Sequence, residues 1–312
     1  MANYHGQIQL ALAGFYDVLT DDGELFRTRA RGNFRKRDMK PLVGDWVTFS
    51  ADSQSEGYIL DIDERDNSLV RPPVANVDQA IVVTAVKMPD WSSNLLDRQL
   101  VALEEKDIEP VIYFTKTDLL NEQEMAEMVT VADGYRQAGY QVILPEKAFD
   151  EPSLTAVKDM LSDKLSVVMG QTGAGKSTLL NHIAPELDLA TGEVSQALSR
   201  GRHTTRQVGL IKLFGGFVAD TPGFSAFEVF DMEARDLTRY FREFNELSPN
   251  CRFRGCVHLN EPGCAVKEAL AAGQIMQSRY DNYKLFYDLI EGRRPVYNKQ
   301  IRSTRKIRGF LR

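Results

Sequence analysis

Nine consecutive residues, Gly170-Gln171-Thr172-Gly173-Ala174-Gly175-Lys176-Ser177-Thr178, fit the spacing G-x4-G-K-[ST], and every residue type at that spacing suits a nucleoside phosphate. Glycines let successive backbone N–H groups converge on one anion, at a helix N-terminus whose partial positive charge favours it. Lys176 is a point charge for β- and γ-phosphate oxygens, and Ser177 offers a hydroxyl to Mg2+. A glycine-rich turn with an accidental Lys-Ser is the competing explanation. At average glycine usage it arises in roughly one chain of this length in a hundred, and the apolar run before the loop and the amphipathic stretch after it make it rarer still.

Such a loop serves ATPases, kinases and GTPases alike, so the purine must be read elsewhere. Asp220-Thr221-Pro222-Gly223 follows the apolar run Gly216 to Ala219. At the C-terminal end of a strand, Asp220 can hold Mg2+ through water while the Gly223 N–H meets the γ-phosphate. Thr115-Lys116-Thr117-Asp118 follows the run Pro110 to Phe114. The Asp118 carboxylate can accept from both guanine N1–H and the 2-amino group, a paired, charge-assisted contact. Adenine presents an acceptor and no amino group there, which leaves the carboxylate unpaired. Lys116 would lay its stem against the base and brace the phosphate loop. T-K-x-D varies the usual N-K-x-D, and a surface turn competes with it. The order is unusual: the base box precedes the phosphate loop, whereas ordinary GTPases place it late. Permutation reconnects strand ends at the surface and leaves the packed sheet intact. It also places Asp220 just before the C-terminal block, a route from nucleotide state to that block.

All three cysteines fall in Cys251-x4-Cys256-x-His258-x5-Cys264. Three thiolates and one imidazole close a tetrahedral Zn2+ shell with no open position, so the metal is expected to be structural, one per chain. An odd, crowded set suits a reducing compartment better than a disulfide framework, and free buried thiols are the bland alternative.

The elements that position these groups follow from hydrophobic pattern. Up to about residue 72, short apolar runs (Ile8 to Ala13, Glu24 to Thr28, Asp45 to Phe49, Tyr58 to Ile62) alternate with turns such as Asp21-Asp22-Gly23, as in a five-stranded oligonucleotide-binding type barrel. Arg71-Pro72-Pro73 cannot continue a ladder and reads as a linker. Beyond residue 77, apolar runs at Gln79 to Val86, Pro110 to Thr115, Tyr140 to Leu144, Leu165 to Met169 and Gly216 to Ala219 alternate with helical stretches, which predicts a parallel sheet covered on both faces. From about Phe230 the chain reads as mainly helical apart from the cysteines. A chain of 312 residues with 43% apolar residues and a net charge of −6 is globular and does not coat nucleic acid generally. Basic patches are local: Arg27, Arg29, Arg31, Arg35, Lys36, Arg37 and Lys40 in the barrel, and a tail from Arg293 to Arg312 without an acid. Either run alone suits a solvated face; two runs flanking a nucleotide site favour RNA phosphates. No apolar run approaches the ~20 residues that span a bilayer, and the reading expects a cytoplasmic monomer with no membrane contact.

With these boxes in hand, the chain resembles the circularly permuted, ribosome small-subunit-dependent GTPases of the GTPase A family. The resemblance spans nearly the whole sequence, including Pro41-Leu42-Val43-Gly44-Asp45, Arg71-Pro72-Pro73, the permuted boxes and the cysteine cluster. It implies a GTP/GDP site at Thr115, Lys116, Thr117, Asp118 and Gly170 to Thr178. It implies a first switch at Gly201-Arg202-His203-Thr204-Thr205, where Thr204 or Thr205 binds Mg2+, and a second at Asp220 to Gly223. It further implies action late in maturation of the small (30S) ribosomal subunit, contact with its rRNA, and hydrolysis that the subunit stimulates.

Two positions depart from the common GTPase pattern. Phe224 stands where many GTPases carry the glutamine that orients water, so the family candidate for that role is His203, whose imidazole can position or deprotonate water. Pro145-Glu146-Lys147-Ala148 stands where a Ser-Ala type turn usually reads guanine O6. The expectation is therefore an α/β protein in three parts: a barrel (1–72), a circularly permuted GTPase domain (73–229) and a C-terminal zinc-binding helical domain with a basic tail (230–312). Its rivals are a P-loop ATPase or kinase, and an RNA-binding module with a structural nucleotide site.

Overall fold

A computed structural model describes residues 2–31, 34, 39–187, 208–220 and 232–292. Strands β1 (Ala2–Leu12), β2 (Phe15–Thr20), β3 (Leu25–Ala30), β4 (Trp46–Ser53) and β5 (Glu56–Ile62) run in the order β1-β2-β3-β5-β4, and β4 returns to pair with β1 from Ala2↔Ala51 to Gln7↔Trp46. The closing strand leaves no long open edge, and β3 and β5 pair in parallel, as the oligonucleotide-binding type barrel requires. Alternate residues point inward: Ile8, Val18, Phe26, Val47, Phe49 and Ile59 are buried, with the Phe26 and Phe49 rings 5.3 Å apart.

The expected linker is itself a small hairpin. Strands β6 (Ser68–Leu69) and β7 (Val74–Ala75) pair antiparallel, and the two prolines sit at the tip, where no ladder N–H is needed. Next come β8 (Gln79–Ala85), α1 (Ser93–Glu104), β9 (Glu109–Thr115), α2 (Glu122–Gln137), β10 (Gln141–Ile143), α3 (Glu151–Leu161), β11 (Leu165–Met169), α4 (Lys176–Ile183), β12 (Val208–Leu213) and β13 (Gly216–Asp220). Strands β10, β9, β8, β11 and β13 lie side by side in parallel, and β11 is buried along its full length, which is why its sequence shows no alternation. Leu96, Leu100 and Leu103 do share the buried face of α1.

The sheet is not purely parallel. β12 joins β13 antiparallel through a tight turn at Phe214-Gly215, both residues with positive φ, a geometry that matches strand twist. β12 also pairs with the far end of β1 (Leu10↔Gly209, Ala11↔Val208), so one ladder runs from the nucleotide-binding sheet into the barrel.

The C-terminal part packs α5 (Arg242–Leu247), α6 (Ala265–Ala271) and α7 (Gln277–Glu291) around Phe241, Phe244, Tyr283 and Phe286. Its joint with α1 is polar and buried. Arg279, with no exposed surface, donates through Nε and Nη2 to both Glu243 oxygens (2.7 and 2.7 Å) and through Nη1 to Asp97 Oδ1 (2.9 Å). Asp97 also accepts from Tyr135 (2.8 Å) and Asn282 (2.7 Å). Nearer the surface, Arg242 spans Glu104 (2.6 Å) and Glu109 (2.7 Å).

Candidate functional site

Despite their swapped order, the base box and the phosphate loop meet at the C-terminal ends of the two strands that flank β8. β9 ends at Thr115, β11 ends one residue before Gly170, and β8 lies between them. Thr115 Oγ1 donates to the Ala174 carbonyl at 2.5 Å, a direct bond between the two segments. Gly170 has a φ of +141°, and a Cβ there would lie 2.0 Å from the Val83 carbonyl, so the loop turns against β8 at a spacing only glycine allows. Gly173 and Gly175 also hold positive φ. Gly175 caps α4 with its first turn free of acidic side chains. Lys176 curls back onto the loop, donating to the Gly170 and Gln171 carbonyls (2.8 and 2.9 Å), and burial lowers its pKa. A buried ammonium satisfied only by carbonyls is poised to accept a stronger, anionic partner.

Lys116 adopts a left-handed conformation and donates to the Met88 carbonyl, while Asp118 lies exposed in a short 3-10 turn, Thr117–Leu119. The buried Thr117 hydroxyl is the one buried side-chain polar atom without a partner among the described residues. Lys87 donates to both Glu124 oxygens (2.7 and 2.6 Å) and to the Leu119 carbonyl (3.1 Å). The loop from β8 to α1 is thus tied to the base box from both sides, by Lys87 and by Lys116. No local spacing announces these two contacts. β10 pairs with β9 at Ile143↔Tyr113, which sets the turn after Ile143 beside the base box. There the Glu146 and Lys147 amides donate to Asp150 Oδ2 (3.0 and 3.3 Å), and Asp150 Oδ1 caps α3 at Ser153. Some burial opposes ionisation of Asp150, but these amide bonds outweigh it and hold the carboxyl below its ordinary value.

His203, Thr204, Thr205 and Gly223 lie outside the described residues, as do Arg35, Lys36, Arg37 and the tail from 293 to 312; Asp220 is the last residue of β13.

The cysteine cluster is assembled. The ligand atoms of Cys251, Cys256, His258 and Cys264 lie within 4.8 Å of one another. Ser248 Oγ donates to the Phe244 carbonyl (2.7 Å), so it accepts from His258 Nε2–H (3.0 Å). That leaves His258 Nδ1 without a proton, facing Cys264 Sγ at 3.3 Å and Cys251 Sγ at 3.6 Å. Zn–S near 2.3 Å and Zn–N near 2.0 Å give a tetrahedral N···S edge of about 3.5 Å, so the donor set fits a four-coordinate metal. Burial, aided by Cys264, pushes the Cys256 thiol up to about 12, and burial lowers the His258 pKa. The cluster can hold a metal ion.

On the barrel, Phe15, Arg27, Arg29, Ser55, Glu56, Gly57 and Tyr58 line a groove of about 270 Å³ that crosses the ends of β2, β3 and β5. The Arg29 guanidinium lies 4.3 Å above the Phe15 ring. No helix among the described residues is long and apolar enough to cross a membrane.

A glycine-lined phosphate loop, a base box at the same end of the sheet across β8 and an inverted sequence order define a circularly permuted GTPase. The model of the RsgA GTPase family matches residues 62–230 and that of the RsgA N-terminal domain matches residues 5–59; the chain belongs to the RsgA family. It is 60% identical to small ribosomal subunit biogenesis GTPase RsgA 1 of Lactiplantibacillus plantarum, over 95% of this chain and 99% of that protein. To the RsgA of Limosilactobacillus fermentum it is 57% identical over the same shares. Among solved structures, YloQ, a circularly permuted GTPase, superimposes with a TM-score of 0.80 at 43% identity, covering 95% of this chain and 98% of that one. YjeQ from Thermotoga maritima gives 0.79 at 33% identity, covering 94% and 100%.

Proposed function

We propose that this GTPase binds the small ribosomal subunit through its rRNA, assists its late maturation, and leaves after GTP hydrolysis that the subunit accelerates. In this reading GTP lies between Thr115 to Asp118 and Gly170 to Thr178. Mg2+ is held by Ser177, by Thr204 or Thr205, and through water by Asp220; it supplies charge neutralisation to the β- and γ-phosphates. His203 orients or deprotonates the attacking water. Zn2+ sits in the Cys251, Cys256, His258 and Cys264 cluster as a structural staple. The divisions at residues 72 and 229 and a monomeric state belong to the same proposal.

One observation carries the nucleotide site: the Thr115 to Ala174 bond, which joins the residues suited to a purine to those suited to phosphates. The ribosomal partner is supported by the names of relatives that match over 95% of this chain, and by the barrel groove, where Arg27 and Arg29 lie beside Phe15 and Tyr58, a combination suited to single-stranded nucleic acid. The test is GTP turnover by the intact chain with and without purified small subunits across a salt series. Stimulation that fades as salt rises is expected. Equal turnover in both arms removes the ribosomal reading.

A further inference from the structure

In small zinc fingers the metal supplies the fold, and removing it unfolds them. The Cys251, Cys256, His258 and Cys264 cluster is built differently, because its second half is held by the chain itself. The Glu261 carboxylate accepts three backbone amides of the loop that carries His258: Val257 through Oε1 (2.9 Å), and Leu259 and Asn260 through Oε2 (3.0 and 3.1 Å). From α7, the Tyr280 hydroxyl donates to the His258 carbonyl (2.7 Å) and the Tyr283 hydroxyl to the Val257 carbonyl (3.0 Å). The His258 ring lies edge-on to Phe244 with centroids 6.0 Å apart, and Ser248 accepts from its Nε2. These contacts hold His258 at a φ of +60°, a left-handed backbone that a residue with a Cβ adopts where its surroundings impose it. Cys264, 2% exposed, sits in the apolar core with Phe241 and Phe286.

The first half has no such anchors. Between Cys251 and Cys256, Arg252, Phe253, Arg254 and Gly255 are exposed, Phe253 to 45%. Among the described residues the Arg252, Phe253 and Arg254 side chains make no hydrogen bond; the Arg252 guanidinium lies over the neighbouring Phe253 ring at 5.5 Å. Two backbone bonds shape the turn, Arg252 N–H to the Gly263 carbonyl (2.9 Å) and Cys256 N–H to the Phe253 carbonyl (3.3 Å). Both cysteines of this half are only partly buried.

We infer that the metal fixes the Cys251 to Cys256 loop alone: Glu261, Tyr280, Tyr283 and the apolar core set His258 and Cys264 in place, and the module, with its Arg279 bonds to α1, folds without the metal. The inference rests on the cluster holding Zn2+, as proposed above. Metal occupancy then controls the presentation of one basic, aromatic loop and leaves nucleotide binding unchanged. Glu261 is a positioning residue: it lies outside the ligand set and acts through the backbone on either side of His258.

Hydrogen exchange read by mass spectrometry tests this on the intact chain, before and after a chelator removes its metal under reducing conditions, with zinc counted by elemental analysis. Removal should speed exchange at 251–256 by roughly tenfold or more and leave 277–291 and 93–104 within about twofold. Mant-GDP affinity should also stay within about twofold, and added Zn2+ should restore protection of the loop. Glu261→Gln leaves one acceptor oxygen for three amides. In that variant zinc removal should speed exchange across 257–264 as well, and chelator competition should show roughly tenfold weaker zinc affinity. Equal speeding at 251–256 and 277–291 in the unmodified chain overturns the inference with no variant needed, since the metal then folds the module. Unchanged exchange at 251–256 overturns it too. A Glu261→Gln chain that matches the unmodified one in both readouts overturns the positioning role. A chain that neither carries nor takes up zinc removes the metal assignment itself, and the inference falls with it.

Discussion

Replacing Arg279 by methionine tests how the C-terminal module is held on the GTPase sheet. The guanidinium is fully buried and makes three charged hydrogen bonds, two to Glu243 and one to Asp97, and it stacks 4.5 Å from the Phe241 ring centroid. Methionine keeps much of the packing and removes all three bonds. Breaking a buried ion pair from one side costs roughly 3–5 kcal/mol, and Asp97 keeps Tyr135 and Asn282 as partners, so about 4 kcal/mol is expected for Arg279→Met. At roughly 2–4 °C per kcal/mol for domains of this size, the midpoint of the transition that includes α7 should fall by about 10 °C in calorimetry. The pH dependence has a definite sign. Burial already raises the Asp97 pKa, and Arg279 is the main group lowering it. Without that cation the folded pKa rises further above the unfolded one, so the folded state binds more protons and stability falls as pH rises between the two values. The deficit of the variant should therefore widen as pH rises above the ordinary carboxylate range. Adding Asp97→Asn should recover at least ~1 kcal/mol, because the more deeply buried of the two stranded carboxylates, Asp97 rather than Glu243, loses its charge. A midpoint shift below about 3 °C that is also independent of pH would refute the lock.

Three further outcomes follow from the site. Gly170→Ala should abolish GTP binding in mant-nucleotide titrations, since its Cβ would meet the Val83 carbonyl at 2.0 Å; ordinary affinity would mean the turn is not glycine-dependent. Asp118→Asn should lower GTP affinity by roughly a hundredfold, two charge-assisted bonds being lost, and shift preference toward xanthosine triphosphate, whose 2-carbonyl accepts from the new amide; retained preference for GTP in competition would count against Asp118. Ser248→Ala should weaken metal affinity ten- to a hundredfold in chelator competition, because His258 Nε2–H loses the acceptor that fixes its tautomer; unchanged affinity would contradict that role.

The parts legible in the sequence are those whose geometry is local. The phosphate loop is one strand, one turn and one helix start, so spacing alone describes it, and the strand Leu165–Met169 matches its apolar run residue for residue. The cysteine cluster is legible for the same reason, its ligands lying between residues 251 and 264. Long-range partners were not legible. Arg279 reaches Asp97 across 182 residues, and neither position carries a spacing that names the other. Lys87 and Met88, which brace the base box, sit in a loop with no motif. The strand Val208–Leu213 is not legible because it has one edge on β13 and the other on the barrel, a two-sided environment that local alternation does not encode.

The permutation becomes intelligible at the bonds that replace a covalent link. In this order β8 follows directly after the hairpin, and β11 sits beside it 87 positions later in register at Ser166↔Gln79 and Val167↔Ala80. The junction is stitched by Asp78 N–H to the Leu165 carbonyl (2.9 Å), Leu165 N–H to Asp78 Oδ2 (2.6 Å) and Gln79 Nε2 to Ser166 Oγ (2.9 Å). Those bonds hold the bases of two strands whose opposite ends carry the phosphate loop and the loop gripping Lys116. The new connections leave the site's walls in place and change only what is attached to them. β12 runs into the barrel ladder, and α1, which continues the loop bound by Lys116, is gripped by Arg279 of the C-terminal module. Each flanking module therefore touches an element that leads to the phosphate loop or to the loop bound by Lys116.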